Sequence, residues 1–206
     1  VLAKLLFNSD KNDFGKEIIP EALKSHRVHA FVHDGYWKDI GSIKSFYEEN
    51  LAFISAQPPL DMYEEDWQFF TRPRFLPLSR VQKSTVESCN IADGAIIEQS
   101  SLVRSIVGLR SYIRSGSVIE DTILLGNDYY EVDGAASPAV SGRVPLGIGR
   151  NCHIRRAIVD KNVRIGDNVR IVNKKNLSEY EDRYCVIRSG IIIIPKDTVI
   201  PAGTVI

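Results

Sequence analysis

From Val86 onward, one aliphatic residue recurs at every fifth or sixth position of the sequence. This spacing fits neither the 3.6-residue period of an α-helix nor the two-residue alternation of a hairpin series. It predicts a parallel β-helix of hexapeptide repeats, in which each repeat forms one short strand and one turn, and three repeats form a triangular coil. The recurring residues are Val86, Ile91, Ile97, Leu102, Val107, Ile113, Ile119 and Leu124, then Ile148, Ile154, Val159, Ile165 and Ile171, and finally Ile187, Ile193, Val199 and Val205.

The aliphatic residue of each repeat is expected to point inward and to stack on its equivalents in neighbouring coils. Gly, Asn and Asp follow several of these residues, as in Gly166-Asp167-Asn168 and Ala92-Asp93-Gly94, and they supply the positive φ angles of the turns. The series is interrupted over residues 126–147 and 173–184. Both interruptions are predicted to be loops that leave the coil.

Residues 1–57 show a mixed α/β pattern that differs from the repeats. A short helix is predicted over 14–23, with Asp13 as its N-cap. A longer helix is predicted to begin at Gly41-Ser42 and to end at Gln57-Pro58. The apolar residues of the longer helix share one helical face: Ile43, Phe46, Tyr47, Leu51 and Ile54.

Two strands and a linker complete the predicted secondary structure. Segments 27–33 and 36–40 are predicted to be strands joined by the hairpin-type turn Asp34-Gly35. Residues 58–80 lack periodicity and hold four of the nine prolines, which indicates a linker between the α/β part and the β-helix of residues 81–206. Aromatic residues in this linker predict that it packs on a neighbouring domain: Tyr63, Trp67, Phe69, Phe70 and Phe75.

Composition excludes several classes of protein. The 26 Lys and Arg residues balance 26 Asp and Glu residues, which argues against a nucleic-acid binder or a polybasic membrane-surface protein. The longest apolar run, Ile191–Pro195, is far shorter than the roughly 20 residues of a membrane span. Cys89, Cys152 and Cys185 form no CxxC pair, so they indicate reduced thiols of an intracellular protein and no zinc site.

Seven short strings, which occur in order over nearly the whole chain, resemble the glucose-1-phosphate adenylyltransferase (ADP-glucose pyrophosphorylase) family. The photosynthetic type, from plants, algae and cyanobacteria, is the most similar. The strings are Asn12-Asp13-Phe14-Gly15, Gly35-Tyr36-Trp37-Lys38-Asp39-Ile40-Gly41, Val107-Gly108-Leu109-Arg110-Ser111, Leu125-Gly126-Asn127-Asp128-Tyr129-Tyr130, Ile148-Gly149, Ile158-Val159-Asp160-Lys161-Asn162-Val163-Arg164-Ile165-Gly166 and Arg188-Ser189-Gly190-Ile191.

The resemblance implies the fold and the activity. The expected fold is the α/β end of a Rossmann-like nucleotidyltransferase domain followed by a left-handed parallel β-helix. The expected reaction makes ADP-glucose and pyrophosphate from ATP and glucose 1-phosphate for starch or glycogen synthesis, in a homo- or hetero-tetramer of the cytoplasm or plastid stroma. Because the chain begins at Val1 inside an apolar stretch, it resembles a C-terminal half, and the 206 residues alone are expected to be inactive.

The resemblance also implies an active-site role for two residues. Asp39 matches the family's catalytic, metal-binding aspartate, and its carboxylate would be a ligand of Mg²⁺. Asp39 precedes a predicted helix, whose dipole favours the ionised carboxylate. Trp37 is implied to line the sugar side of the substrate site. Considered as isolated residues, Asp39 could instead cap the helix, and Trp37 could be an ordinary packed indole.

The photosynthetic type is activated by 3-phosphoglycerate and inhibited by phosphate, and such anionic effectors require clustered cations. Lys161 and Lys196 match the two activator-site lysines. Arg110 matches a phosphate-binding arginine, and Asp160 matches a neighbour of that site. Considered without the resemblance, composition favours a solvated turn residue at a β-helix corner for each of these four.

Two alternative functions remain open. The family contains catalytically weak regulatory subunits, and this chain could be one of them. A hexapeptide-repeat acyltransferase would use the same β-helix with a catalytic His and acyl-CoA, and His153 is the only His in the repeats. The α/β segment and the string around Asp39 count against the acyltransferase.

Overall fold

The computed structural model describes residues 1–7, 10–131 and 143–206. The chain divides into two compact units, Val1–Tyr36 and Trp37–Ile206. Among the described residues, no helix is both long enough and apolar enough to cross a membrane.

The first unit is helical. Helix α1 spans Leu2–Phe7, and a π-helical turn over Phe14–Ile18 continues directly into helix α2, Ile19–Ser25. The side chain of Asp13 caps the π-helical turn, because its Oδ1 accepts a hydrogen bond from the Lys16 N–H at 2.7 Å. The predicted helix and its N-cap are therefore confirmed, with the first turn wider than an α-helix.

The two strands predicted over 27–33 and 36–40 are wrong for this chain. Both segments lie in irregular backbone. A strand is defined by hydrogen bonds to a partner strand. Within the part of the chain that the structure describes, no strand pairs with either segment, so alternation alone was not sufficient to form one.

Helix α3, Ile43–Ala52, packs on the β-helix. Ser42 is its N-cap and forms a capping box with Ser45, which confirms the predicted start of the helix. The helix ends at Ala52, before the predicted end at Gln57-Pro58. The Tyr47 hydroxyl donates a hydrogen bond to the Asp121 carbonyl at 2.5 Å. The buried residues packed with the Tyr47 ring are Ile123, Ile158 and Ile191.

The linker predicted over 58–80 contains turns and bends up to residue 67 and irregular backbone over 68–79, and the first strand begins at Arg80. Its aromatic rings are exposed, Phe70 and Phe75 almost completely at 95% and 96%. The prediction that these rings pack on a neighbouring domain is therefore wrong within this chain. The physical reason is that an irregular, Pro-rich segment has no periodic apolar face to set against a neighbour.

Residues 80–206 form the parallel β-helix that the repeats predict. Its strands belong to two sheets. In chain order they are β1 (Arg80–Gln82), β2 (Thr85–Glu87), β3 (Asn90–Ile91), β4 (Ile96–Glu98), β5 (Ser101–Val103), β6 (Ile106–Val107), β7 (Tyr112–Ile113), β8 (Val118–Leu124), β9 (Gly147–Ile148), β10 (His153–Val159), β11 (Arg164–Ile165), β12 (Arg170–Ile171), β13 (Glu179–Glu181), β14 (Val186–Arg188), β15 (Ile191–Ile194) and β16 (Val199–Ile200).

The strand register stacks the inward residues in three columns. The first column is Val81, Ile97, Ile113, Ile148, Ile165 and Ile200. The second is Val86, Leu102, Ile119, Ile154 and Ile171, and the third is Ile91, Val107, Leu124, Val159 and Ile194. Apart from the first coil, these residues are buried, and each contributes about 1.5–3 kcal/mol of transfer free energy.

The two interruptions differ from each other. In the first, residues 126–131 and 143–146 form no strand, and 132–142 lie outside the described residues. In the second, which was predicted to be a loop, β13 pairs antiparallel with β14, and β14 pairs antiparallel with β15. The second interruption is therefore partly a β-hairpin arm attached to the coil.

From Ile193 onward, the last series of repeats is one residue out of the predicted register, whereas Ile187 is buried as predicted. The sequence spacing placed Ile193 and Val199 inward, but the structure buries Ile194 and Ile200 and leaves Val199 46% exposed. Four consecutive isoleucines in β15 give no preference for either phase. In the structure, the parallel pairing of β15 with β10 places Ile194 beside Val159 of the third column.

Candidate functional site

One corner of the β-helix brings the two predicted effector lysines together. Lys161 lies two positions after Val159 of the third column, and Lys196 lies two positions after Ile194, its partner in the next coil. The Asp197 N–H donates a hydrogen bond to the Lys161 carbonyl at 3.0 Å. The two lysines therefore occupy equivalent positions in stacked coils.

Asp128 lies between these two lysines. Its Oδ1 is 2.7 Å from Nζ of Lys161, and its Oδ2 is 3.3 Å from Nζ of Lys196. Asn162 donates from Nδ2 to Asp128 Oδ2 at 3.1 Å, and its Oδ1 accepts from the Asp128 N–H at 2.8 Å. We call Lys161, Lys196, Asp128 and Asn162 the lysine corner; it is an open cationic site that holds its own counter-anion.

Asp160 and Arg110 contact this corner differently. Asp160 Oδ1 accepts the backbone N–H of Lys161 at 2.7 Å and so fixes the turn. Arg110 lies at the same corner of an earlier coil, with φ of 55°. Its carbonyl accepts from Nδ2 of Asn127 at 2.8 Å, and its Nη1 lies 3.4 Å from the Asn127 carbonyl. Arg110 thus adjoins the residue before Asp128, while its guanidinium lines a separate pocket.

The charge of Asp128 is strongly stabilised. Its hydrogen bond from the Lys161 ammonium, helped by Asn162 and Lys196, lowers the pKa of Asp128 from 3.8 to about 2. We expect Lys161→Gln to raise the pKa of Asp128 toward 3.8, as measured by a carboxyl ¹³C NMR titration. Because the folded pKa lies below the unfolded one, these contacts stabilise the fold above about pH 4, and their contribution is lost as the pH falls toward 2.

Lys83→Gln is the matched control for this titration. Lys83 is also an exposed lysine at a β-helix turn, with φ of 49°. Its replacement is expected to leave the Asp128 pKa at about 2. An Asp128 pKa that is equally low in Lys161→Gln would contradict the ion pair between Lys161 and Asp128.

Asp39 and Trp37 lie in the irregular segment before α3. Asp39 Oδ1 accepts the Gly41 N–H at 2.8 Å, in a local turn that leads to the cap residue Ser42. The helix is therefore capped by Ser42, and the capping alternative for Asp39 is wrong. The Trp37 side chain is 76% exposed, so it is not a packed indole in this chain. Lys38, between them, pairs with Glu49 at 3.0 Å.

The Asp39 carboxylate fits the role of a single Mg²⁺ ligand. Its Oδ2 makes no hydrogen bond within residues 1–7, 10–131 and 143–206. Mg²⁺ is commonly held by one or two carboxylates together with waters and substrate phosphates. In the same described ranges, no group of three or more His, Cys, Asp or Glu side chains is arranged to hold a metal. Asp39 would therefore share the ion with water, substrate or groups outside these ranges.

One cavity among the described residues does not coincide with any of these site residues. It measures about 460 Å³ and belongs to the first unit, where Lys4, Ile18, Glu21 and His26 are among its lining residues. None of the predicted site residues lines it. Its size alone therefore does not mark it as the site.

Comparison with known proteins identifies the family. Residues 74–205 match the GLGC left-handed parallel β-helix domain, and residues 2–56 match the nucleotidyl transferase family. The chain is 46% identical over 201 residues to the chloroplastic/amyloplastic small subunit of glucose-1-phosphate adenylyltransferase from Triticum aestivum. The chain belongs to the family of the GLGC left-handed parallel β-helix domain. The alignment covers 95% of this chain and 42% of the wheat protein, so the chain spans less than half of that relative's length.

The two domain matches confirm the predicted fold class, including the left-handed sense of the β-helix. They also disfavour the acyltransferase alternative. His153, on which that alternative depended, has its Nε2 2.9 Å from Oε2 of Glu120 on the neighbouring strand.

Two members of the lysine corner, Asp128 and Asn162, were not identified as site residues from the sequence. The signal for Asn162 was present, because Asn127, Asn162 and Asp197 each lie three positions after a residue of the third column. Asp128 directly follows the first of them. The one-residue register error in the last repeats hid this pattern. With Ile193 taken as the inward residue, Lys196 was aligned with Asn162, whereas in the structure it is aligned with Lys161.

Proposed function

We propose that this chain supplies the end of the catalytic domain and the regulatory β-helix of an enzyme that makes ADP-glucose and pyrophosphate from ATP and glucose 1-phosphate. Family membership and the nucleotidyl transferase match of residues 2–56 support the proposal. Because that match takes in so few residues, the 206 residues alone are expected to be inactive. The name of the wheat relative supports the plastid as the location, with starch as the downstream product.

In the proposed reaction, an oxygen of the sugar phosphate attacks the α-phosphorus of ATP, and the bond from that phosphorus to the pyrophosphate oxygen breaks. The protein contributes positioning and charge neutralisation. Bound Mg²⁺ would neutralise charge on the phosphate oxygens. Asp39 would hold the ion with a carboxylate whose orientation is fixed by the Gly41 N–H, and the exposed indole of Trp37 would pack against the glucosyl ring.

The regulatory part of the proposal depends on the convergence of Lys161 and Lys196 on Asp128. Two ammonium groups that contact one carboxylate, each about half exposed, can contact a carboxylate or phosphate of an effector in the same way. An anion such as 3-phosphoglycerate or phosphate would compete with Asp128 for both lysines. Asp160 would hold the turn in place, in an enzyme we propose to be a homo- or hetero-tetramer.

This competition is tested by activation of the complete enzyme. Lys161→Gln is expected to raise the 3-phosphoglycerate concentration for half-maximal activation about tenfold or more, because a hydrogen bond to a charged group contributes about 1.5–3 kcal/mol. Asp128→Asn is expected to lower that concentration, because the internal competitor loses its charge. Lys83→Gln is the control and should match the wild type. Unchanged activation in Lys161→Gln would make Lys161 an ordinary solvated turn residue.

A further inference from the structure

The segment that carries Trp37 and Asp39 is tied to helix α3 by the side chain between them. Nζ of Lys38 lies 3.0 Å from Oε1 of Glu49. Glu49 is seven residues after the cap residue Ser42, which places it about 10 Å further along the helix axis. Because a lysine side chain is shorter than that distance, the ion pair holds the backbone at residue 38 beside α3 and not beyond the N-terminus of the helix.

The Lys38–Glu49 ion pair is better sheltered from water than a second ion pair of α3. The side chain of Glu49 is only 16% exposed. Lys44 and Glu48, which lie 3.9 Å apart on the same helix, are both more than half exposed. Solvent and salt screen a partly buried pair less than an exposed one, and exposed pairs contribute little. The Lys38–Glu49 pair is therefore the one expected to restrain the backbone.

Helix α3 is a firm support for this ion pair. Tyr47, two residues before Glu49, is buried, and its hydroxyl donates to the Asp121 carbonyl of β8. Its ring packs in a cluster with buried isoleucines of the β-helix. Glu49 therefore projects from an element whose own position is set by contacts far away in the sequence.

The local contacts of the segment do not supply the same restraint. Asp39 Oδ1 accepts the N–H of Gly41, only two residues further on, so this bond shapes the turn without reaching along the helix. Residues 37–40 lie in irregular backbone, and the Trp37 side chain is largely exposed. The Lys38 side chain is thus the group that reaches from this segment to a distant turn of α3.

We propose that Lys38 and Glu49 are positioning residues, whose ion pair sets where the Asp39 carboxylate and the Trp37 indole stand in the active site. The inference rests on the roles proposed above for Asp39 and Trp37. Neither Lys38 nor Glu49 has to touch the metal ion or the substrate. Because Lys38 lies directly between the two site residues, a shift of its backbone displaces both, and a misplacement of about 1 Å can lower a rate about a hundredfold.

The kinetic test uses the complete enzyme with Lys38→Gln, Glu49→Gln and the double variant. Each single variant is expected to raise the Mg²⁺ concentration for half-maximal ADP-glucose formation severalfold, because the Asp39 carboxylate is held less firmly. The double variant should have no larger effect than either single one, since both remove the same contact. Lys38→Arg preserves the charge and should keep the wild-type value.

Lys44→Gln is the matched control, because it removes the exposed ion pair with Glu48 on the same helix. Its Mg²⁺ dependence and kcat are expected to equal those of the wild type. An effect in Lys44→Gln as large as that in Lys38→Gln would mean that any charge change on α3 suffices, and would overturn the inference.

Amide hydrogen exchange of the complete enzyme, without Mg²⁺ or substrate, measures the positioning independently of activity. Lys38→Gln and Glu49→Gln are expected to speed exchange severalfold over residues 37–41, which include the Gly41 N–H that Asp39 accepts. Exchange in the rest of α3 and in the β-helix should be unchanged. Equally faster exchange throughout the β-helix would indicate a general loss of stability and would contradict a positioning role.

The variant Asp39→Asn separates this inference from the proposed function. If Asp39→Asn lowers kcat while Lys38→Gln keeps the wild-type Mg²⁺ dependence, the positioning inference alone is overturned, whether or not exchange is faster. If Asp39→Asn keeps the wild-type kcat, the proposed role of Asp39 fails, and the positioning inference fails with it.

Discussion

Replacing Asp39 by Asn in the complete enzyme is expected to lower kcat by about a hundredfold or more, because a carboxylate that holds a catalytic metal contributes several kcal/mol to charge stabilisation. The amide oxygen of Asn can still accept the Gly41 N–H, so the turn before α3 should persist. The steady-state rate of ADP-glucose formation measures the effect, and circular dichroism checks the fold.

Asp61→Asn is the matched control for this variant. Asp61 Oδ1 accepts the Tyr63 N–H at 2.8 Å, in a local turn of the same kind, within the linker. Its replacement is expected to leave kcat unchanged. Wild-type kcat in Asp39→Asn would remove Asp39 from the active site. If the wild-type protein were itself inactive without a partner subunit, that result would favour the regulatory-subunit alternative.

The largest expected effect on stability comes from Glu131→Gln. Arg164 is only 6% exposed in its side chain, and its Nη1 lies 2.6 Å from Oε1 of Glu131. Removing one partner of a buried ion pair leaves an uncompensated charge, so the free energy of unfolding should fall by about 3 kcal/mol. Urea unfolding monitored by circular dichroism measures the loss.

Glu181→Gln provides the comparison, because Glu181 forms an exposed ion pair with Arg188, and the loss of that pair should cost less than about 1 kcal/mol.

The ion pair of Glu131 also predicts a dependence of stability on pH. Although burial raises the pKa of Glu131, the Leu146 N–H and the Arg164 guanidinium together hold this pKa below its usual value. The wild type should therefore lose this stabilisation as the pH falls below the unfolded pKa of about 4.3, whereas Glu131→Gln should not. Equal losses in the two variants at neutral pH would contradict the buried ion pair.

The sequence by itself determined the β-helix, because one inward aliphatic residue per five or six positions can be buried only by stacking short parallel strands. It also determined the start of α3, since the capping hydrogen bonds of Ser42 are made within three residues. These features depend on neighbours in the chain or on a repeating period. A single sequence contains both kinds of information.

Only the tertiary structure decided the register of the last coils and which residues form the lysine corner. Four consecutive isoleucines fit two phases equally, and the parallel pairing of β15 with β10 has only one of them. That choice stacks Lys196 on Lys161, and Asp128 reaches both from a coil 33 residues before Lys161. The strands expected over 27–33 and 36–40 did not form, because a strand requires a partner. Contacts between residues far apart in sequence follow from the strand register, and local patterns do not encode it.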